Sequence, residues 1–463
     1  MGNVRTVPLL FQSKLFCLSL LYLLTTTLFS LYVSFSHSAC FFTSLPSSRP
    51  LLSNAILFSY PPSYGEHKYA IPSPHDYSSC TSALLFPEYR VAVRDIHDAF
   101  KNISLSSPSS SVLRYLTGNR DSFSGNFSTE KRRSFFSHED DPLVPVPCGF
   151  LKEFPIKQSD KSEMENCGGV VVASAIFGDF DKIRQPKGLG MHSLQAVCFF
   201  MFVDDSTVRG LQVHNILSDN VGEKNKVGVW RIVRLLKSSM PYENDAMNGV
   251  IAKHLIHRLF PNSKFSVWID AKLQLTVDPL LLVHSLLISK DVDMALSKHP
   301  FNLHTMQEAM ATARWKKWRD VESIRVQMET YCKNGLQPWS PRKLPYPTDV
   351  PDTALIIRRH GQANNLFSCL LFNELEAFNP RDQLAFAYVR DLMKPKIKLN
   401  MFEVEVFEHI TVEYRHNLKR EGLHTQQQLA GKARETRNTY PAGDINGSSC
   451  ERYLLKMWGE SSD

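Results

Sequence analysis

Two apolar runs in this sequence end in acids: AVCFFMFVDD at Asp204 and Asp205, and FSVWIDAK at Asp270. In an open α/β sheet, ligands bind beyond the carboxyl ends of the strands. A carboxylate placed there holds a divalent cation, manganese or magnesium, or hydrogen-bonds a sugar. The second run ends in the triplet Asp270-Ala271-Lys272, where an Asp-x-Asp pair would hold the metal that grips a nucleotide diphosphate. Lys272 cannot ligate a metal, but its ammonium meets a diphosphate directly. Asp270 is therefore a candidate catalytic group and metal ligand, with Lys272, Asp204 and Asp205 as candidate ligand contacts. The plain alternative is that Asp270 caps a turn or pairs with Lys272.

A third acid, Asp382, opens the helical run NPRDQLAFAYVRD after the turn at Asn379-Pro380. An acid in a first helical turn is stabilised by the helix dipole. It is equally a candidate general base for an acceptor hydroxyl, with Arg381 and Gln383 beside it as ligand contacts. His299 is a candidate base or ligand near a strand end. The loop Pro338–Pro351 carries five prolines in fourteen residues together with Arg342, Lys343 and Asp349. It is either a stiff wall of a site, with Arg342 facing the ligand, or a plain connection. The run ATARWKKWRD, on an expected helix Met306–Tyr331, is a solvated basic face with tryptophan anchored in the core, or a surface for phosphate, acidic glycan or membrane. His254 and His257 lie three apart without a matched acid, which is weak support for zinc. No G-x-S-x-G, G-x-G-x-x-G or Walker A pattern occurs.

These residues need a scaffold, and short β-rich runs alternating with helical periods supply one. The strand runs are Val170–Ile176, Ala196–Asp205, Val227–Leu236, Phe265–Asp270, Val292–Lys298 and Thr353–Arg359. Helical stretches are expected at Met247–Phe260, Pro279–Leu287, Met306–Tyr331, Asn364–Ala377 and Arg381–Leu392. Near-continuous apolar strands between helices indicate an α/β fold: a mostly parallel sheet sandwiched by helices. With acids at its strand ends it is of the GT-A-like, glycosyltransferase-like kind.

The N-terminus fixes the compartment. Leu15–Phe35 is an uncharged run of 21 residues, about the 30 Å of a bilayer core as a helix. Arg5 and Lys14 precede it, and no Lys or Arg follows until Arg49, which places the bulk of the chain in the lumen. The competing expectation is a cleaved signal peptide ending at Ser36, Ser38 or Ala39. The sequons at Asn102, Asn126 and Asn446 suit a lumenal chain. The expected division is a cytosolic tail (1–14), a signal-anchor (15–35), a Ser/Pro-rich stalk (36–147), one domain (148–420) and a disordered polar tail (421–463). Within the stalk, Ala83–Phe100 is apolar enough to pack on the domain. Cys148 and Cys167 are the expected disulfide, while Cys198 and Cys369, in apolar runs, are expected as plain buried residues. The net charge of +7 suits anionic ligands, but Lys and Arg are scattered, so nucleic acid is not an expected partner.

Five ordered runs carry a resemblance: CGGVVVASAIFGDFDKIRQP, MNGVIAKHLIHRLFPNSKFSVWIDAKLQL, KLPYPTDVPDTALIIRRHG, NLFSCLLFNELEAFNPRDQLAFAYVRD and FEVEVFEHITVEYRHNLKR. Together, over Cys148 to Arg420, they resemble a plant family that takes in mucilage-related glycosyltransferase-type proteins and a turgor-regulation-defect type described as a Golgi alkaline ceramidase. Ala246, Met247 and Ala271 stand where the mucilage branch has two arginines and a glycine, so the chain is more similar to the turgor-regulation type. That resemblance implies a Golgi membrane enzyme splitting ceramide into a sphingoid base and a fatty acid. An activated water would attack the amide, with Asp270, Asp204 or His299 as base or ligand. The other branch implies hexosyl transfer from a nucleotide sugar to a cell-wall glycan acceptor, with Asp270 and Lys272 on the donor diphosphate and Asp382 on the acceptor. A third implication is a glycan- or lipid-binding scaffold without a working site.

Overall fold

The computed structural model describes residues 14–35, 41–43, 58–68, 70–71, 84–105, 113–139, 143–217, 225–416 and 450. Its centre is set by strands that are apolar on both sides. In β1 (Val170–Ile176), Val171 and Ala173 join one buried cluster, while Val170, Val172 and Ile176 join another. Alternate residues face opposite ways along a strand, so both faces of this sheet must be covered. The other strands of its sheet are β2 (Val197–Asp204), β3 (Lys226–Val227), β4 (Trp230–Leu235), β5 (Phe265–Ile269), β6 (Met294–Lys298), β7 (Pro351–Arg359) and β8 (Leu399–Phe402). They form an eight-stranded sheet in the order β8-β6-β7-β5-β1-β2-β4-β3.

Pairing is parallel for β1 with β2 and β5, β2 with β4, and β6 with β8. The sheet is nevertheless mixed, because β7 runs against both β5 and β6. The reversal has a consequence for the site. The start of β7 lies beside the ends of β5 and β6, so one edge of the sheet collects side chains from all three.

Helix α1 (Lys14–Phe35) is long and apolar enough to cross a membrane. On one face of the sheet lie α2 (Tyr89–Leu105), α3 (Asp205–Val213) and α5 (Pro279–Leu286); on the other lie α4 (Asp245–His254), α6 (Thr305–Arg314), α7 (Val321–Lys333), α8 (Gln362–Ala377) and α9 (Asp382–Leu392). Local chemistry sets their ends. Asn244 accepts from the backbone of Ala246 and Met247 to start α4, and Asp278 precedes Pro279 to start α5. The expected helix Met306–Tyr331 is two helices, because Lys316 adopts a left-handed backbone (φ 49°) and Asp320 caps a new start at α7. The expected helix Met247–Phe260 likewise breaks, at Leu255.

Other expectations need correction. Residues 113–139 and 143–147 are not stalk-like: Leu113, Phe123, Phe135, Phe136 and Val146 are buried in the same cluster as α8 and α9. Arg132 reaches Glu374 of α8 at 2.8 Å, both side chains buried. The aromatic residues that do this are diluted among Ser, Gly and charges, so average composition hides them. The disulfides are Cys148–Cys369, Cys167–Cys198 and Cys332–Cys450, not Cys148–Cys167. Cys167 leads into β1 and Cys198 lies in the adjacent β2, a neighbour relation that only the sheet reveals. The third bridge ties residue 450, within the expected tail, to α7.

Candidate active site

The turn after β5 is fixed from three sides. The Leu273 amide donates to Asp270 O and closes it, the Asp270 amide donates to Ala354 O of β7, and the Tyr414 amide donates to Lys272 O, each at 2.8 Å. Arg184, buried with its guanidinium 3.9 Å from the Tyr414 ring, donates from Nη1 to Ala271 O at 2.6 Å. This holds Asp270 and Lys272 on either side of a buried Ala271. Asp270 Oδ1 accepts from Trp268 Nε1 at 2.7 Å, while its Oδ2 accepts no hydrogen bond among the described residues. The Asp270 side chain is 32% exposed. Lys272 donates to Glu413 Oε1 at 2.8 Å, so it pairs with Glu413 and not with Asp270. Burial pulls the Lys272 ammonium down, but Glu413, Asp352 and Asp270 raise its pKa above the ordinary lysine value.

Asp270 and Asp382, far apart in sequence, meet through a lysine. Lys253, on α4, lies 2.8 Å from Asp382 Oδ2 and 3.6 Å from Asp270 Oδ1, and donates to Thr353 Oγ1 at 3.1 Å. Thr353 in turn donates to Asp382 Oδ1 at 2.9 Å. His254, the next residue on α4, faces Asp382 Oδ2 through Nε2 at 3.2 Å and Arg358 through Nδ1 at 3.4 Å. Burial pushes His254 down to about 4, so it is neutral near pH 7 and donates from Nε2. Burial also disfavours charge on Asp382, but Lys253 and His254 hold its carboxyl well below the usual range. Burial opposes the Lys253 charge, and Asp270 and Asp382 more than offset that. Asp382 is thus an enclosed counter-ion. As a general base it has neither an open oxygen nor proton affinity.

His299 stands on the neighbouring strand end, where its amide donates to Val350 O at 3.0 Å. Its Nδ1 accepts from the amides of Phe301 and Asn302 at 3.1 and 2.9 Å, and its Nε2 lies 3.6 Å from Glu308 Oε2. Burial lowers its pKa. A neutral imidazole has one lone pair, and here the backbone uses it, so His299 presents a donor and no base. Glu308, buried on α6, receives Arg381 Nη2 at 2.7 Å, Asn302 Nδ2 at 2.6 Å and Lys317 Nζ at 3.3 Å. Burial works against its charge, yet Lys317, Arg381 and His299 lower its pKa. Between the two halves lies Asp352 at the start of β7, which raises the pKa values of Lys253, Lys272 and His299.

The remaining candidates sit elsewhere or in other roles. Asp204 is fully buried, accepting from the Thr207 amide and hydroxyl at 2.9 and 2.7 Å and from the Gly178 amide at 3.0 Å. Both its oxygens serve to start α3 and to hold the loop after β1. Asp205 pairs with Arg234 at 2.7 Å. Arg342 is exposed on the turn Pro341–Lys343, Gln383 is half-buried beside Asp382, and Asn126 is exposed on a loop. Asn102 falls on α2, and Asn446 lies outside the described residues.

Sequence reasoning missed Lys253, Asp352, Glu308 and Arg184. Lys253 alone left a signal, as a lysine amid Ile251, Ala252, Leu255 and Ile256. A divalent cation does not fit these residues: Asp270 offers one carboxylate, and the ammonium of Lys253 stands where a metal's charge would be needed. Among the described residues, Cys148, His257 and Cys369 do come close enough together to suggest a metal site, but both sulfurs are in a disulfide.

The family model for the TOD1/MUCI70, glycosyltransferase-like domain matches residues 110–416. The chain belongs to the TOD1/MUCI70 family. Within the family the chain is 56% identical over 462 residues to the Arabidopsis thaliana protein named Alkaline ceramidase TOD1, covering 98% of each chain. It is 36% identical over 363 residues to the Arabidopsis thaliana protein named Probable hexosyltransferase MUCI70, covering 76% of this chain and 60% of that one. Among solved structures, mouse xyloside xylosyltransferase 1 in its apo form aligns with 50% of this chain and 85% of its own, at 5% identity and a TM-score of 0.29.

Proposed function

We propose that the chain is a Golgi membrane enzyme, anchored by α1 with its domain in the lumen, that hydrolyses ceramide to a sphingoid base and a free fatty acid. The observation that carries this is the 56% identity to a protein named an alkaline ceramidase across 98% of both chains, which takes in the anchor as well as the domain. The orientation rests on Arg5 and Lys14 before the apolar run and the lack of Lys or Arg after it until Arg49.

At the site, Asp270 Oδ2 is the open carboxylate oxygen that receives a proton from the attacking water. The water oxygen bonds to the amide carbon, and the charge on the carbonyl oxygen develops beside Lys272 and Lys253. The carbon–nitrogen bond then breaks, and the proton held by Asp270 passes to the departing amine. Asp382 keeps Lys253 charged and in place.

A second reading, glycosyl transfer to a cell-wall glycan, is favoured by one feature. Lys272, Lys317 and Arg381 remain partly exposed at the carboxyl edge of β5 and β6, where the diphosphate of a nucleotide sugar would sit.

One paired experiment separates the two. Ceramide turnover at alkaline pH is measured for the purified full-length chain and Asp270→Ala, alongside thermal stabilisation by nucleotide sugars with and without manganese. Turnover lost in Asp270→Ala, with no response to nucleotide sugar, supports hydrolysis. Stabilisation by a nucleotide sugar that disappears in Asp270→Ala, with no ceramide turnover in either protein, overturns it in favour of transfer.

A further inference from the structure

The edge of the sheet away from Asp270 holds a cavity that the chemistry above does not use. β1 and β2 are parallel and both start there. The length of β1, about 20 Å, separates this edge from the one that bears Asp270. The cavity has a volume of about 760 Å³, within the range of about 300–1,000 Å³ usual for ligand sites. Its frame is fixed from three sides. The disulfide Cys167–Cys198 joins the lead-in of β1 to β2. Gln185 pins the turn between β3 and β4, donating to Val227 O at 3.1 Å and accepting from the Val229 amide at 3.0 Å. The short helix Gln158–Glu165 is held at its end by Asn262, which donates to Glu165 O at 2.7 Å.

Arg231, near the start of β4, lies between two acids one turn apart on that helix. Its Nη2 is 3.5 Å from Asp160 Oδ1, and its Nη1 is 3.2 Å from Glu163 Oε2. The contact to Asp160 is long, so that carboxylate keeps most of its accepting capacity. Asp160 lines the cavity and is 4% exposed, yet its Oδ2 accepts no hydrogen bond among the described residues. Arg231 Nε is buried and donates to nothing among the described residues. Beside this trio stand Ser159, Asn166, Gln195 and Asn225, whose side chains also make no hydrogen bond among the described residues.

These groups define the occupant. Asp160 and Glu163 accept, Arg231 and Lys226 donate, and the amides and the hydroxyl do both. The two acids and the two bases offset one another, so the lining favours neither an anion nor a cation. The aromatic residues behind it, Phe199 and Phe200, are buried in the core and leave no slot for an acyl chain. A ligand that donates and accepts at many points without net charge is a saccharide. Each hydroxyl gives its proton to a carboxylate or amide oxygen and accepts one from a guanidinium or amide nitrogen.

We infer that this cavity binds a short neutral saccharide, held on Asp160 and Arg231 and separate from the reacting centre. The inference does not depend on which bond the site at Asp270 breaks.

Hydrogen exchange of the full chain tests it, in a detergent without a sugar headgroup and after treatment with a peptide N-glycosidase. Cellotriose, xylotriose and mannotriose are the neutral probes, and trigalacturonic acid and the chitosan trimer are the charged ones. At least one neutral probe at millimolar concentration is expected to slow exchange within 159–167, 194–200 and 225–231 severalfold, while the charged probes do not. Asp160→Ala weakens that binding by at least about tenfold, the usual loss for a hydrogen bond to a charged group. Gln195→Ala, at an exposed side chain, weakens it severalfold and serves if Asp160→Ala fails to fold. Asp270→Asn leaves it unchanged. Protection by none of the neutral probes overturns the inference. Equal or stronger protection by a charged probe also overturns it. Protection confined to 268–273 and lost in Asp270→Asn places the saccharide at the reacting edge, and overturns it as well.

Discussion

At the scale of single residues, the site is organised by a lysine between two acids. Lys253 is nearly enclosed, and removing it strands Asp382 in the interior with only His254 and Thr353 as donors. Breaking a buried pair from one side costs about 3–5 kcal/mol, so Lys253→Met should lower the unfolding free energy, measured by denaturant titration, by that amount. Lys253→Met with Asp382→Leu should recover most of the loss, because no charge is then left unpaired, while turnover stays absent. Asp270→Asn behaves in the opposite way. Its carboxylate is about a third exposed and faces Lys253 only at 3.6 Å, so stability should move by less than about 1 kcal/mol while turnover falls at least a hundredfold. Equal stability losses in Lys253→Met and Asp270→Asn would contradict this division between holding and reacting. Asp270 and Asp382 were legible because acids at a strand end and a helix start break an apolar pattern. Lys253 was less so, since a lysine on a helix ordinarily reads as a solvated face.

At the scale of elements, the sequence shows what each segment is better than what it touches. The runs that become β1, β2 and β5, and the helices α5, α8 and α9, are visible from period and composition because both faces of the sheet are buried. The reversal of β7 is not visible, since an apolar strand has the same pattern in either direction. Yet that reversal brings Asp352 and Thr353 to Asp270. Disulfide partners depend on the same hidden adjacency. Cys148–Cys369 pins the segment before β1 onto α8, joining residues 221 positions apart. Losing a cross-link in a long loop costs about 2–5 kcal/mol. Cys148→Ser with Cys369→Ser should lower stability within that range and raise protease cleavage within 113–147, because that segment packs on α8. Unchanged cleavage there would mean the aromatic contacts of Phe123 and Phe136 suffice to hold it.

At the scale of the whole molecule, the chain carries several histidines that fold in the neutral form. Burial holds His254 at about 4 and His360 at about 3, pushes His257 well below its ordinary value, and lowers His299. In the unfolded chain each returns to about 6.5. Below that pH, and above its folded value, each binds a proton only on unfolding, so stability rises with pH through this window and is complete above it. His416 runs the other way, because Asp181 raises its pKa, but it is one exposed group. Asp382 and Glu308, with lowered carboxyl values, lose their contribution only as the pH falls below about 4. At pH 5.5 each fully buried histidine should cost about 1 kcal/mol relative to pH 7.5. The melting temperature of the full chain in detergent should therefore be level from pH 7 to 8 and fall by several degrees by pH 5.5. Proton uptake on unfolding at pH 5.5, measured by the slope of stability against pH, should approach one per such histidine. His360→Asn should reduce that slope by one proton whatever it costs in absolute stability, since the slope counts protons and not contacts. A level profile down to pH 5.5 would mean that these imidazoles are hydrated or charged in the folded chain, and that the neutral His254 which orders Asp382 is not the state present.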